Sequence, residues 1–382
     1  MLSPWERGWG EVNTKKSSTM KKILLGVMLI AGSDLFAQDS AKVEDSKPNT
    51  FSFSGYVEAY YQYDFNKPAD NNRPGFIYSH NRHNEFNVNL GFLKGSYNTE
   101  RVRANLAIAA GTYMNANYAA EPGVQKNIFE ANAGVKISKK KNLWIDAGIF
   151  SSHIGFESAV SKDCWTLTRS ILADNSPYFE SGAKLTYTSD NNEWLVSGLF
   201  LNGWQRIKRV DGNSLMSFGT QLQYKPNAGI LLNYSTFIGT DKPDSIRQMR
   251  YFHNLYAIFN VTGKFGIIAG FDIGSEQKVK GSSRMNTWYS PVLLLKYAVT
   301  PKWAIAARGE YYYDKHGVIV ASGTPNGFQT TGFSLNVDYT PIPNAIIRME
   351  LRTLNSKDDV FTKGIGVTTN NTFVTVSVAV GF

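Results

Sequence analysis

From Phe51 to the last residue, apolar and polar side chains alternate in short runs. The last run is the plainest. Phe382, Val380, Val378, Val376 and Val374 fall on one face of Thr372–Phe382, and Gly381, Ala379, Ser377, Thr375 and Phe373 fall on the other. A period of two is the period of a β-strand, whose side chains point alternately to opposite faces. Eleven residues also suit a tilted membrane-crossing strand, which needs roughly 9–11. The first run repeats the pattern. Phe51, Phe53, Val57, Ala59, Tyr61 and Tyr63 share one face, while Ser52, Ser54, Tyr56, Glu58, Tyr60, Gln62 and Asp64 share the other. Charge against lipid is costly, so the face with Glu58 and Asp64 is expected to look into a barrel.

The alternation continues. Phe86, Val88, Leu90 and Phe92 are expected outside, opposite Asn87, Asn89 and Gly91. Val102, Leu106 and Ile108 oppose Arg101, Arg103 and Asn105; Ala131, Val135 and Ile137 oppose Glu130, Asn132 and Lys136. Leu143, Ile145 and Ile149 oppose Trp144, Asp146 and Gly148. Seven short turns rich in Asn, Pro, Gly and Ser separate strands: 98–100, 138–142, 189–192, 225–228, 261–264, 298–302 and 340–344. They alternate with eight longer polar loops, which gives sixteen strands. The expected fold is all-β, a transmembrane antiparallel β-barrel of about sixteen strands over residues 51–382, preceded by a cleaved signal peptide. Both chain ends then lie on the short-turn, periplasmic side.

Composition narrows the class. The mean hydropathy is −0.27, and no run of 18 apolar residues follows the N-terminal segment, so a helical membrane protein is excluded. A barrel is not, because only alternate strand residues meet lipid. Twenty Tyr, 23 Phe and 8 Trp supply the aromatic girdles of such barrels. The single cysteine, Cys164, rules out a disulfide scaffold or a cysteine zinc site, and is expected to be a loop thiol without a role. At the N-terminus, Met20-Lys21-Lys22, the apolar run Ile23–Ala31 and the small residue Ala37 read as a secretory signal cleaved after about Ala37. Residues 1–19 lie upstream of that signal and read either as a misassigned start, with Met20 the true one, or as an unusually extended n-region. Residues 38–50 are polar and read as a flexible periplasmic leader. Residues 1–37 hold five basic and three acidic side chains, so the formal charge of +9 falls to +7 for the mature chain. The lysines are dispersed and no nucleic-acid motif is present.

Interior candidates follow from the faces alone. The acidic ones are Glu58, Asp64, Glu130, Asp146, Glu180, Asp272, Glu310, Asp338 and Glu350; the basic ones are Arg101, Arg103, Lys136, Lys184, Arg308, Arg348 and Arg352; Tyr60, Asn89 and Asn105 complete the set. Signs are balanced, so no ion selectivity follows from the list. Arg308 beside Glu310, and Glu350 between Arg348 and Arg352, read as charge pairs across a wet lumen. The longest loop, Ser152–Pro177, carries Ile154, Phe156, Trp165 and Leu167, which need a surface to pack on. It is expected to fold inward and form the constriction, with Glu157, Asp163, Trp165 and Arg169 as its candidate residues. Arg103 and the Arg348/Arg352 pair are expected to face it across an aqueous gap.

Four segments carry a resemblance. They are Ser54–Tyr61 (SGYVEAYY), Ser152–Glu157 (SHIGFE), Pro177–Gly182 (PYFESG) and Leu201–Trp204 (LNGW). In this order and spacing they resemble the OmpL-like β-barrel porin family of Gram-negative outer membranes. The resemblance implies a passive outer-membrane pore for small hydrophilic solutes or ions. Outer-membrane lipid, lipopolysaccharide and the barrel-assembly machinery, engaged through the C-terminal strand, are the expected partners; a homo-oligomer is left open. The family supplies no catalytic or ligand residues to carry over, and no cofactor, metal or nucleic acid is expected. Two rivals are an outer-membrane barrel hydrolase and a surface-binding barrel without channel activity. Among the five histidines, His80, His83, His153 and His316 lie in loops, and His253 alternates with apolar neighbours as an outer-rim side chain would. His80 and His83, with Asp70, lack the second partner pair of a metal site and are expected to be solvated.

Overall fold

The computed structural model describes residues 50–382, so the expected signal peptide and most of the leader fall outside the described residues. The strands are β1 (Thr50–Asp64), β2 (Phe86–Asn98), β3 (Val102–Ala110), β4 (Ile128–Lys136), β5 (Asn142–Ser151), β6 (Phe179–Thr188), β7 (Trp194–Leu201) and β8 (Ser217–Asn227). They continue as β9 (Ile230–Gly239), β10 (Arg250–Asn260), β11 (Phe265–Gln277), β12 (Met285–Ala298), β13 (Trp303–Asp314), β14 (Phe328–Ile342) and β15 (Ala345–Ser356). A small hairpin, β16 (Phe361–Lys363) and β17 (Gly366–Thr368), sits in the last long loop before β18 (Asn370–Gly381). Leaving out that hairpin, sixteen strands pair in chain order, all antiparallel, and β18 pairs with β1 to close the barrel. Closure matters in lipid because it leaves no strand edge with unpaired backbone groups.

The two faces follow the alternation. On the outer face Val57, Phe333, Leu335, Met349, Leu351 and Val378 are exposed, while the residues between them are buried inside. Stacked aromatic pairs mark the short-turn rim (Trp194 with Tyr224, Trp303 with Tyr339) and the long-loop rim (Tyr289 with Tyr313). His253 lies on the outer face, stacked on Tyr234, its Nδ1 2.7 Å from the Tyr234 hydroxyl. The seam is fitted at the terminus. Gly55 and Phe382 exchange backbone hydrogen bonds of 2.8 and 2.9 Å, and a Cβ on Gly55 would collide with the Phe382 ring.

Two expected face assignments are corrected: Ile149, expected outside, is buried in an interior apolar cluster, and part of β2 changes face. A bulge between Glu58 and Ala59 shifts the register against β2, pairing Glu58 with Leu90 but Ala59 with Val88. A one-residue shift moves every later side chain to the other face. Leu90 is therefore fully buried inside and Phe92 stacks on Tyr56 and Phe129, while Gly91 turns outward with Val57.

The core of the molecule lies within the barrel. Two apolar clusters lie in the interior. One gathers Ile77, Phe150, Ile154, Ile171, Phe237, Phe252, Trp288, Phe328 and Phe373. The other gathers Tyr56, Leu90, Tyr113, Met114, Tyr118, Phe179 and Ile346. Several of these residues belong to the long loops 65–85, 111–127 and 152–178, which fold inward. A short helix, α1 (Thr112–Asn117), lies in the second of these loops.

The lipid face gives a direct expectation. Val378→Asp on β18 should cost on the order of 2 kcal/mol if it sits near mid-membrane, and should lower the inserted, heat-modifiable fraction in SDS gels. Ser96→Asp, half-exposed inside the barrel, should be far milder. Equal losses from the two changes would overturn the face assignment.

Candidate functional site

The site is built on the loop 152–178. Its two ends, Ser151 and Phe179, are paired neighbours on β5 and β6, so the segment between them leaves one wall and returns to it. Arg169 gives the loop its compact shape. Its guanidinium donates to the Ser158, Leu167 and Ala159 carbonyls at 2.5, 2.6 and 2.9 Å. Ser170 caps α2 (Ile171–Asp174) by accepting from the Ala173 amide, and its own amide donates to Glu157 Oε2 at 3.0 Å. The Cys164 thiol is buried and donates to the Ser158 carbonyl at 3.4 Å.

The loop crosses the interior and is fastened to the opposite wall. The Leu167 amide donates to Asn336 Oδ1 (3.0 Å), the Thr168 amide to Glu350 Oε2 (2.5 Å) and the Ile171 amide to Glu310 Oε2 (2.6 Å). In return Arg308 donates to the Thr168 carbonyl (2.7 Å), Arg352 to the Arg169 carbonyl (2.8 Å) and Arg348 to the Cys164 carbonyl (3.0 Å). Ser161 Oγ reaches β1 and donates to Glu58 Oε1 at 2.5 Å. Near its start, His153 Nδ1 lies 2.8 Å from Glu180 Oε2, and the His153 carbonyl accepts from Ser235 Oγ at 2.7 Å. Backbone amides that have left regular structure need such partners when buried.

These contacts correct the expected arrangement. Arg308, Arg348 and Arg352 do point inward, but the loop covers them and they are 2% exposed or less. No aqueous gap separates them from it. Their charges are met on the same wall: Arg352 with Glu310 at 2.6 Å, Arg308 with Glu350 at 2.8 Å, Arg348 with Asp338 at 2.8 Å. The pairs expected across a wet lumen are dry pairs within one wall. Glu157 serves Ser170 inside the loop; Trp165 is buried near Lys296; Asp163 is exposed. Glu58, Tyr60, Asp64, Asn89, Glu180 and Asp272 also face inward and are buried beneath loops rather than bathed in water. Asp64 holds Arg73 and Asn371, and Asp272 accepts from Asn254 at 2.6 Å. His80 and His83 are buried instead of solvated: His80 Nε2 lies 3.2 Å from Glu58, and His83 Nδ1 accepts the Asp64 amide at 2.9 Å. Among the described residues no group of three His, Cys, Asp or Glu could hold a metal.

The wall formed by β2 to β6 differs. Along one ladder rung Asn98, Arg103, Gly134, Asp146 and Lys184 lie side by side. A Cβ on Gly134 would collide with Asp146 Oδ1, so glycine there makes room for the carboxylate that Arg103 grips at 2.6 and 2.5 Å. Arg103 also lies 4.4 Å over the Trp144 ring. Lys94 pairs with Glu130 at 2.7 Å. Arg103, Asn105, Asn132, Lys136 and Lys184 are half-exposed and Arg101 is exposed at the turn. At the long-loop mouth Arg250 sits between Trp204 and Trp288 and donates to Glu276 at 2.7 Å. Burial pushes up the nearby Asp241 carboxyl in the β9–β10 loop, with Arg250 opposing the shift. The sequence singled out neither Lys94 nor Arg250; their alternation with the outward apolar neighbours Leu93 and Tyr251 was the available signal.

Comparison with known proteins agrees with this architecture. An anion-selective porin from Comamonas acidovorans superposes with a TM-score of 0.58 at 10% identity, over 87% of this chain and 100% of the porin. In-vitro folded OmpT, an outer-membrane protein of Vibrio cholerae in a trimer form, gives 0.57 at 10% identity, over 88% and 100%. Salmonella typhi OmpF, in complex with daunomycin, gives 0.56 at 11% identity, over 88% and 98%. No curated protein sequence matches the chain. The family model described as "Putative beta-barrel porin-2, OmpL-like" matches residues 50–382, and the chain belongs to that family of outer-membrane porins.

Proposed function

We propose that this porin is a narrow passive channel for small hydrophilic solutes, bounded by the loop 152–178 on one side and the β2–β6 wall on the other. A closed barrel of sixteen strands is wide enough for an aqueous channel, so what fills it sets the passage. The observation that carries the reading is that the loop lies within the barrel, fastened to β13, β14 and β15, instead of resting on the rim. Diffusion down a gradient needs neither catalyst nor cofactor, and none is proposed. The hydrolase alternative has weak support, since both His153 ring nitrogens are taken up by Glu180 and the Thr236 carbonyl. Lipopolysaccharide on the outside, the barrel-assembly machinery acting on β18, and self-association into a homo-oligomer are proposed as partners. Single-channel recording of the purified protein in planar bilayers tests the reading. Small steady current steps that short neutral polymers block and long ones do not are expected. A heat-modifiable barrel that gives no current steps would instead mark a surface-binding protein.

A further inference from the structure

We infer that the passage favours small anions, such as chloride or short carboxylates, and that the β2–β6 wall sets this preference; the inference rests on the porin reading above. The wall opposite cannot set it. Arg308, Arg348 and Arg352 are matched there by Glu310, Glu350 and Asp338, three against three, and the loop shields all six from water.

The β2–β6 wall carries an excess of positive charge. Lys94, Arg103, Lys136 and Lys184 stand with Glu130 and Asp146, four cations to two carboxylates. Glu180, at the start of β6, is fully buried against His153 and does not reach the passage. Exposure widens the difference. The Lys94 and Arg103 side chains are 20% and 21% exposed, while their partners Glu130 and Asp146 are 11% and 6% exposed. Water in the passage therefore meets the cationic partner of each pair first. Aromatic faces hold two of the cations in place: Arg103 over Trp144 at 4.4 Å and Lys184 over Phe150 at 4.7 Å. On the loop, exposed Asp163 is offset by its neighbour Lys162. A net positive lining between low-dielectric walls raises the local concentration of anions and repels cations. Balanced counts over the whole interior hid this, because many of those charges are buried.

The zero-current potential in asymmetric KCl measures the preference directly. The native channel should pass chloride severalfold better than potassium. Lys136→Gln with Lys184→Gln should lower that ratio severalfold, and Lys136→Glu with Lys184→Glu should reverse the sign. Lys139→Glu with Lys140→Glu, on the exposed turn after β4, should leave it near the native value. A native channel that is unselective or prefers potassium would overturn the inference while leaving the porin reading intact. So would a Gln double variant with the native ratio. Absence of any steady channel from the heat-modifiable barrel would remove the porin reading, and the anion preference with it.

Discussion

Replacing residues 158–172 with a short Gly-Ser linker is expected to raise single-channel conductance severalfold. The segment lies inside the barrel and carries Leu167, Thr168 and Ile171, whose amides bond to the far wall. Removing it vacates cross-section inside the barrel. Closure should tolerate the change, because Ser151 and Phe179 are direct partners on β5 and β6 and the strand ladder does not depend on the loop's length. The groups uncovered by the change, Arg308, Glu310, Glu350 and Arg352, keep one another as partners and gain water. If the variant inserts with a normal heat shift yet conducts as the native protein does, the loop is not the constriction. Higher conductance with unchanged anion preference would agree with a selective wall on β2–β6 that the deletion leaves untouched.

Much of this molecule can be read from its sequence for one physical reason. Lipid on one side of a strand and a packed or wet interior on the other impose a period of two, which is why the faces of β1, β18 and the turn positions were accessible. The inward fold of the long loop was legible as well, since Ile154, Phe156 and Trp165 could not all face water. What alternation reports is only the face of a side chain, not what lies upon it. Arg348 and Arg352 have the pattern of lumen residues whether water or backbone carbonyls await them. Here carbonyls do, at Cys164 and Arg169. His80, His83 and Arg73 likewise come from a stretch rich in Asn, Asp and Pro that reads as a solvated loop, yet it folds in and buries them. The bulge at Glu58 left no mark in the pattern, and it reversed Leu90 and Phe92. The charge asymmetry of the interior was hidden for the same reason: it depends on which of the candidate residues a loop covers.

The second large effect concerns the fastening itself. Arg352→Ala is expected to destabilise the barrel by about 3 kcal/mol, the low end of the usual cost of breaking a buried ion pair, because Glu310, the main partner of Arg352, keeps Arg308 Nε at 3.3 Å. Glu310 is its partner: Arg352 Nε and Nη2 both donate to Glu310 Oε1, at 3.0 and 2.6 Å, and neither side chain is more than 1% exposed. The third guanidinium nitrogen donates to the Arg169 carbonyl at 2.8 Å, so the change also removes one of the loop's fastenings to β15, while Glu350 and Arg348 keep theirs to Thr168 and Cys164. Two readouts separate these consequences. The heat-modifiable transition in SDS should fall in temperature, reporting stability. Current traces should become noisier, with more frequent transitions between levels, reporting a loop held at fewer points. The double variant Arg352→Met with Glu310→Gln distinguishes the buried charge from simple loss of volume. The introduced glutamine can still accept the Ile171 amide, which Glu310 accepts at 2.6 Å, and no unpaired charge remains from this pair. The double variant should therefore recover most of the lost stability, giving a large coupling energy in a double-mutant cycle. The traces should stay noisy, since the Arg169 carbonyl has lost its donor. If Arg352→Ala lies within about 1 kcal/mol of the native barrel, the pair is wet enough to be screened like a surface pair, and the loop is not packed as tightly against β13–β15 as the contacts require.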